Sequence, residues 1–119
     1  MKIHYLLLIL CFVNLGCAQS KGKPITEFSQ NDIDSGILVD VRTPQEYNNG
    51  HLDQAVNINL LDADFIKSVD TIHREKPIYV YCKKGGRSAK AAKVLDSLGF
   101  KQVVDLEGGY DAFIANKKD

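Results

Sequence analysis

The chain has no excess charge of either sign, no cysteine–histidine cluster, no internal repeat and no apolar run longer than nine residues. Fifteen basic and fifteen acidic residues cancel, which removes the electrostatic case for a nucleic-acid partner. Positive charge is local instead, at Lys83, Lys84, Arg87, Lys90 and Lys93. His51 and His73 stand apart from each other and from Cys82, so no metal site has ligand spacing and no metal is expected. What remains is an ordinary globular composition, 45% hydrophobic and 25% charged over 119 residues, enough for one small domain.

The longest apolar run lies at the N-terminus. Met1-Lys2-Ile3-His4 supplies a short basic start, and Tyr5 to Val13 follows as nine apolar residues. A bilayer-spanning helix takes about 20, whereas this length suits a signal-peptide core. Asn14-Leu15-Gly16-Cys17 resembles the bacterial lipobox, with Asn14 standing where leucine is usual. The favoured expectation is a lipoprotein-type signal over residues 1–17, lipidation of Cys17, a polar tether over 18–24 and a folded domain over 25–119. Cleavage after Ala18 is the competing one. The first makes the protein an exported, periplasmic or membrane-anchored bacterial lipoprotein that meets a membrane only through its lipid.

Cysteine usage then narrows the chemistry. Cys11 leaves with the signal and Cys17 is lipidated or removed, so Cys82 remains without an internal disulfide partner. An unpaired cysteine in an exported protein suggests a reactive or intermolecular thiol. Its setting favours the first. Cys82-Lys83-Lys84-Gly85-Gly86-Arg87-Ser88 follows the strand-like Ile78 to Tyr81 and leads into the helix-like Ser88 to Leu98. Backbone N–H groups in such a turn form an anion nest, the helix start adds partial positive charge, and three cations add more. All favour thiolate over thiol. An exposed thiolate in an oxidising compartment would risk over-oxidation, which a resting persulfide could prevent.

Short apolar runs alternate with helical patterns, the signature of an α/β fold with a parallel sheet. Strands are expected at Ile37 to Val41, Ala55 to Ile58, Ile78 to Tyr81 and Gln102 to Asp105, with Ile25-Thr26 as an edge. Ser29 and Asp32 suggest a capped short helix ended by Gly36. Thr43-Pro44-Gln45-Glu46 combines a capping box with proline at the first helical position, and Asn49-Gly50 closes that helix. Leu61, Phe65, Val69 and Ile72 fall on one helical face, as do Ser88, Ala91, Ala92, Leu95 and Leu98. Ser88 is expected to cap the second of these helices and only secondarily to touch the sulfur. Low order is expected in the tether and over Asn116 to Asp119.

Three segments together resemble the single-domain rhodaneses, over roughly Ile25 to Ala115. Asp40-Val41-Arg42 through Glu46-Tyr47, Gly50-His51-Leu52 and Ala55-Val56-Asn57-Ile58 is similar to the upstream signature of that family. The cysteine loop resembles its C-x-x-G-x-R-S. Leu106-Glu107-Gly108-Gly109 with Phe113 resembles its closing motif, Phe113 replacing the usual tryptophan. The resemblance implies a rhodanese-like α/β domain, with a central parallel sheet of about five strands and helices on both faces. It also implies transfer of sulfane sulfur from a thiosulfate-like donor to a thiophilic acceptor through a Cys82 persulfide, without a cofactor.

On that reading Cys82 is the nucleophile and Lys83, Lys84, Gly85, Gly86, Arg87 and Ser88 surround the donor. Gly85 and Gly86 supply the backbone angles that inward-facing amides need. Arg87 either holds the loop through its carbonyls or binds the donor's oxyanion. The trio Asp40, Arg42 and Glu46 braces the neighbouring region, and His51 is a hydrogen-bonded structural residue rather than a base. Partners are a small anionic sulfur donor and a thiol or other thiophilic acceptor, with no nucleic acid, and a monomer is expected. Alternatives are a binding module with the fold but no turnover, or a persulfide carrier for a partner protein. Phosphatase or arsenate chemistry ranks lower, because related cell-cycle phosphatases have a wider loop than the four residues between Cys82 and Arg87.

Overall fold

A computed structural model describes residues 20–117. The signal segment 1–17 with Cys17, and tether residues 18 and 19, lie outside the described residues, as do Lys118 and Asp119. Five strands form one wholly parallel sheet: β1 (Lys21–Pro24), β2 (Ile37–Asp40), β3 (Val56–Asn57), β4 (Ile78–Tyr81) and β5 (Val103–Glu107). Their spatial order is β1-β5-β4-β2-β3. The central strand β4 pairs with β2 from Ile37↔Ile78 to Asp40↔Tyr81 and with β5 from Ile78↔Val103. Full burial of Ile-Tyr-Val-Tyr in β4 follows from that position, since a parallel sheet is covered on both faces.

Alternation along the strands divides the core in two. On one face Val39, Val41, Ile78, Val80 and Val103 pack against α2 (Phe65–Val69) and α3 (Gly86–Ser97) through Phe65, Val69, Ala91, Ala92 and Leu95. On the other, Leu38, Tyr79, Tyr81, Val104 and Leu106 meet Ile25, Ile33 and Leu52, with Tyr47 of α1 (Pro44–Asn48) and Tyr110 and Phe113 of α4 (Gly109–Lys117). Ala91 and Ala92 are fully buried, which lets α3 lie close over the sheet.

Several local expectations hold, and others need correction. The Thr43–Glu46 box is formed at both ends, with Pro44 opening α1, and Ser29–Asp32 forms a second box on a short 3-10 turn. The edge strand is Lys21–Pro24 rather than Ile25-Thr26, which begins a 3-10 turn. Residues assigned to the tether thus pair with β5, from Lys21↔Val104 to Pro24↔Glu107. Backbone pairing needs no apolar alternation at a sheet edge, so this strand leaves no sequence pattern. The helix expected over Leu61 to Ile72 shrinks to Phe65–Val69, and Leu61 is 69% exposed. Asn116 and Lys117 belong to α4 instead of a frayed end.

Candidate active site

Cys82 sits where β4 ends and helps line a cleft of about 510 Å³ together with Leu60, Leu61, Lys83, Lys84, Gly86, Arg87 and Lys90. The parallel sheet dictates this location, because open α/β sheets build their sites at the carboxyl ends of the strands. Cys82 is the sole cysteine among the described residues and is 1% exposed, a correction to the exposed thiolate expected. The Gly85 N–H donates to Sγ at 3.0 Å. That geometry requires φ of +136° at Gly85, where a side chain would be strained. Gly86 has no such requirement: it opens α3 at negative φ. The need for glycine therefore rests on one of the expected pair.

Ser88 is not the helix cap. Gly85 occupies that place, and Ser88 sits three residues on, fully buried, with its hydroxyl donating to the Gly85 carbonyl at 3.1 Å. Its Oγ lies 3.5 Å from Cys82 Sγ. Helical periodicity explains the shift, since Ser88 shares its face with Ala91, Ala92 and Leu95.

Arg87 does not hold the loop through its carbonyls, one of its two expected roles. It forms a bidentate pair with Glu46, Nη1 to Oε1 at 2.6 Å and Nη2 to Oε2 at 2.9 Å. Arg87 and the Thr43 cap hold Glu46 well below the usual carboxylate range, at about 2, against the opposing effect of burial. The trio of Asp40, Arg42 and Glu46 is accordingly divided. Asp40 and Arg42 form a buried pair, with Arg42 Nη2 also donating to the Gly50 carbonyl at 2.7 Å and the guanidinium 4.4 Å from the Tyr110 ring centroid. Burial lowers the Arg42 pKa, but its hydrogen bond and charge interaction with Asp40 win and raise it. His51 stacks on Tyr47 at 3.6 Å and its Nδ1 lies 2.8 Å from the Tyr47 carbonyl.

Gly109, Tyr110 and Asp111 also belong to the site, beyond the residues that sequence reasoning supplies. The start of α4 closes the loop from below: Tyr110 N–H donates to the Cys82 carbonyl at 2.8 Å and Asp111 N–H to the Lys83 carbonyl at 3.0 Å. Gly109 lies so near that an added Cβ would stand 2.5 Å from the Lys83 oxygen. Asp111 also pairs with Lys83 at 2.9 Å. The available signal was Gly108-Gly109, which marked a close approach without saying to what. Lys84 and Lys90 line the cleft and have no carboxylate partner among the described residues.

This combination of a parallel α/β sheet, a buried strand-end cysteine and a glycine–arginine loop is that of a rhodanese-like domain. The family matches residues 25–116, and the chain belongs to it. Among relatives it is 38% identical over 76 residues to thiosulfate sulfurtransferase GlpE of Pseudomonas syringae, covering 63% of this chain and 69% of that one. It is 37% identical over 73 residues to the uncharacterized protein YqhL of Bacillus subtilis, where the match spans 61% of this chain and 56% of the relative. The solved rhodanese-related protein of Thermoplasma volcanium superimposes with a TM-score of 0.69 at 28% identity, covering 80% and 91% of the two chains.

Proposed function

We propose that this protein is a sulfurtransferase that carries sulfane sulfur on Cys82. The observation that carries the reading is the Cys82 sulfur, which accepts from the Gly85 N–H at 3.0 Å beside a cleft lined by Lys83, Lys84, Arg87 and Lys90. The Cys82 thiolate attacks the outer sulfur of a thiosulfate-like donor. A new S–S bond forms, the donor's S–S bond breaks, and its electron pair leaves on sulfite. The persulfide anion is stabilised by loop N–H groups already in place before reaction. An acceptor thiolate then attacks the terminal sulfur and releases Cys82 as thiolate. Lys84 and Lys90 draw the anionic donor, and Arg87, fixed by Glu46, keeps its charge at the rim. No cofactor enters, since the transferred atom is bound covalently to the protein.

The cleft favours a second reading of the acceptor. Leu60 and Leu61 give it an apolar wall. Sulfur carriage to an organic thiol or to a partner's cysteine fits this shape better than exchange with a free inorganic acceptor. The export reading completes the proposal: residues 1–17 direct secretion, and lipidated Cys17 tethers the domain to a membrane.

The test is mass measurement of the protein after incubation with thiosulfate. Gain of one sulfur atom, absent in Cys82→Ser, is expected; no adduct with any sulfane donor refutes the proposal. Thiocyanate release with cyanide then measures turnover. Palmitate labelling that persists in Cys17→Ser would refute the lipid anchor.

A further inference from the structure

Large apolar side chains stand out of the surface at Val56, Leu61 and Ile66 among the described residues, and all three fall between β3 and the first turn of α2. Leu61 is the most exposed of them, and it lines the cleft that contains Cys82. Leu60 beside it is anchored. Its N–H donates to the Val41 carbonyl at 3.0 Å, and its side chain packs on the core that holds Cys82. Leu61 joins neither core cluster, although its N–H is fixed by Asn59 Oδ1 at 3.0 Å. A single exposed leucine needs no explanation, but an apolar wall beside a reactive cysteine marks a surface that something covers.

The charges of the same cleft say what kind of surface would cover it. Lys83 and Arg87 are engaged by Asp111 and Glu46, whereas Lys84 and Lys90 line the cleft without a carboxylate partner among the described residues. Asp62 and Asp64 follow Leu61 in the chain and pair with neither lysine. Cys82 is 1% exposed. A thiol that takes its sulfur must therefore enter the cleft on a protruding support. A second copy of this chain fits poorly, because its own Cys82 is as deeply buried and its cleft would set lysine against lysine.

We propose that Leu60, Leu61, Lys84 and Lys90 form the docking surface for a partner protein that receives the sulfur, one that presents a cysteine on a protruding segment with apolar neighbours and acidic residues outside them. The partner's apolar residues cover Leu61, its carboxylates meet Lys84 and Lys90, and its cysteine reaches Cys82. In the transfer the partner's thiolate attacks the terminal sulfur of the Cys82 persulfide. A new S–S bond forms, the S–S bond to Cys82 breaks, and its electron pair stays on Cys82. Burial of the leucines supplies the holding energy, while the charges speed encounter and fix orientation. The inference rests on the sulfur-transfer reading and adds to it the class of acceptor.

Two synthetic peptides serve as probes. Each carries one cysteine between leucines, flanked by glutamates in the first and by lysines in the second, and 2-mercaptoethanol is the small-thiol comparison. The full chain is loaded with sulfur from thiosulfate, and loss of the added mass is timed with each acceptor. The glutamate peptide should take sulfur about tenfold faster than the lysine peptide at low salt, and the gap should narrow at high salt. Leu61→Ser should lower the ratio of the glutamate-peptide rate to the 2-mercaptoethanol rate about tenfold. A purely structural loss would slow both acceptors alike and leave that ratio in place. Equal rates for the two peptides, or a ratio that Leu61→Ser does not move, overturns the proposal. Docking is also read without sulfur, by fluorescence anisotropy of labelled peptides with serine in place of cysteine, titrated with Cys82→Ser and with Cys82→Ser, Leu61→Ser. The glutamate peptide should bind more tightly than the lysine peptide, and loss of Leu61 should weaken it. If the wild type takes up no sulfur, sulfur transfer is refuted and this binding order alone decides the docking surface.

Discussion

Glu46 and Arg87 are joined by two hydrogen bonds of 2.6 and 2.9 Å across 41 residues of sequence, tying α1 to the start of α3 beside Cys82. The Glu46 carboxyl titrates at about 2 in the folded state against an ordinary 4.5. A depressed folded pKa means that the pair stabilises fully above about pH 4.5 and loses that contribution as pH falls toward 2. Glu46→Gln should cost about 1–2 kcal/mol near neutrality, a value tempered by the pair's partial exposure. Thermal unfolding across pH 2.5 to 7 checks both points: the wild type should lose more stability on acidification than the variant, and equal slopes would refute the assignment.

Gly85 and Gly86 should respond differently to alanine. At Gly85, with φ of +136°, strain of about 1–3 kcal/mol is expected although nothing lies within 4 Å of an added Cβ. Movement of its N–H from the sulfur should also slow sulfur uptake. At Gly86 the space is equally open and φ is ordinary for a helix start, so alanine should leave unfolding and uptake nearly unchanged. Comparable losses in both would contradict the geometry.

Gly109→Ala should perturb the site from below. Its Cβ would stand 2.5 to 2.6 Å from backbone atoms of Cys82 and Lys83, which cannot yield without moving the loop. A stability loss of more than about 2 kcal/mol is expected, together with slower sulfur uptake at a temperature where the variant remains folded. Normal uptake would show that the loop does not depend on α4.

Asp40→Asn should be costly, about 3–5 kcal/mol, because it leaves the buried Arg42 charge without its carboxylate. Adding Arg42→Met should recover part of the loss. A double variant less stable than Asp40→Asn alone would mean that Arg42 matters more to Gly50 and Tyr110 than to Asp40.

Donor attraction should depend on the two cations that have no carboxylate partner. Lys84→Ala with Lys90→Ala is expected to raise the donor concentration needed for half-maximal uptake several-fold at low salt and less at high salt. Unfolding should barely change, since both lie on the cleft wall. An effect independent of salt would place their role elsewhere.

Much of this was legible before any coordinates. Short continuous apolar runs at Ile37 and Ile78 located the central strands, and Thr43-Pro44 with Glu46 located α1, because each signal depends on neighbours close in the chain. The cysteine loop was recognisable for the same reason. Partnerships across long separations were not. The family resemblance groups Glu46 with Asp40 and Arg42, while its ion-pair partner is Arg87. A cap at Ser88 is what local sequence suggests, but its helix face sends it into the core.

The amino-acid sequence by itself determined the α/β class, the strand-end cysteine and the cationic loop, since these arise from local chemistry and short-range periodicity. The tertiary structure alone decided that Lys21–Pro24 completes the sheet, that α4 supports the loop, and that Arg87 pairs with Glu46. Those facts depend on which strands lie side by side. Parallel pairing joins segments distant in sequence, and no local pattern records which distant segment arrives.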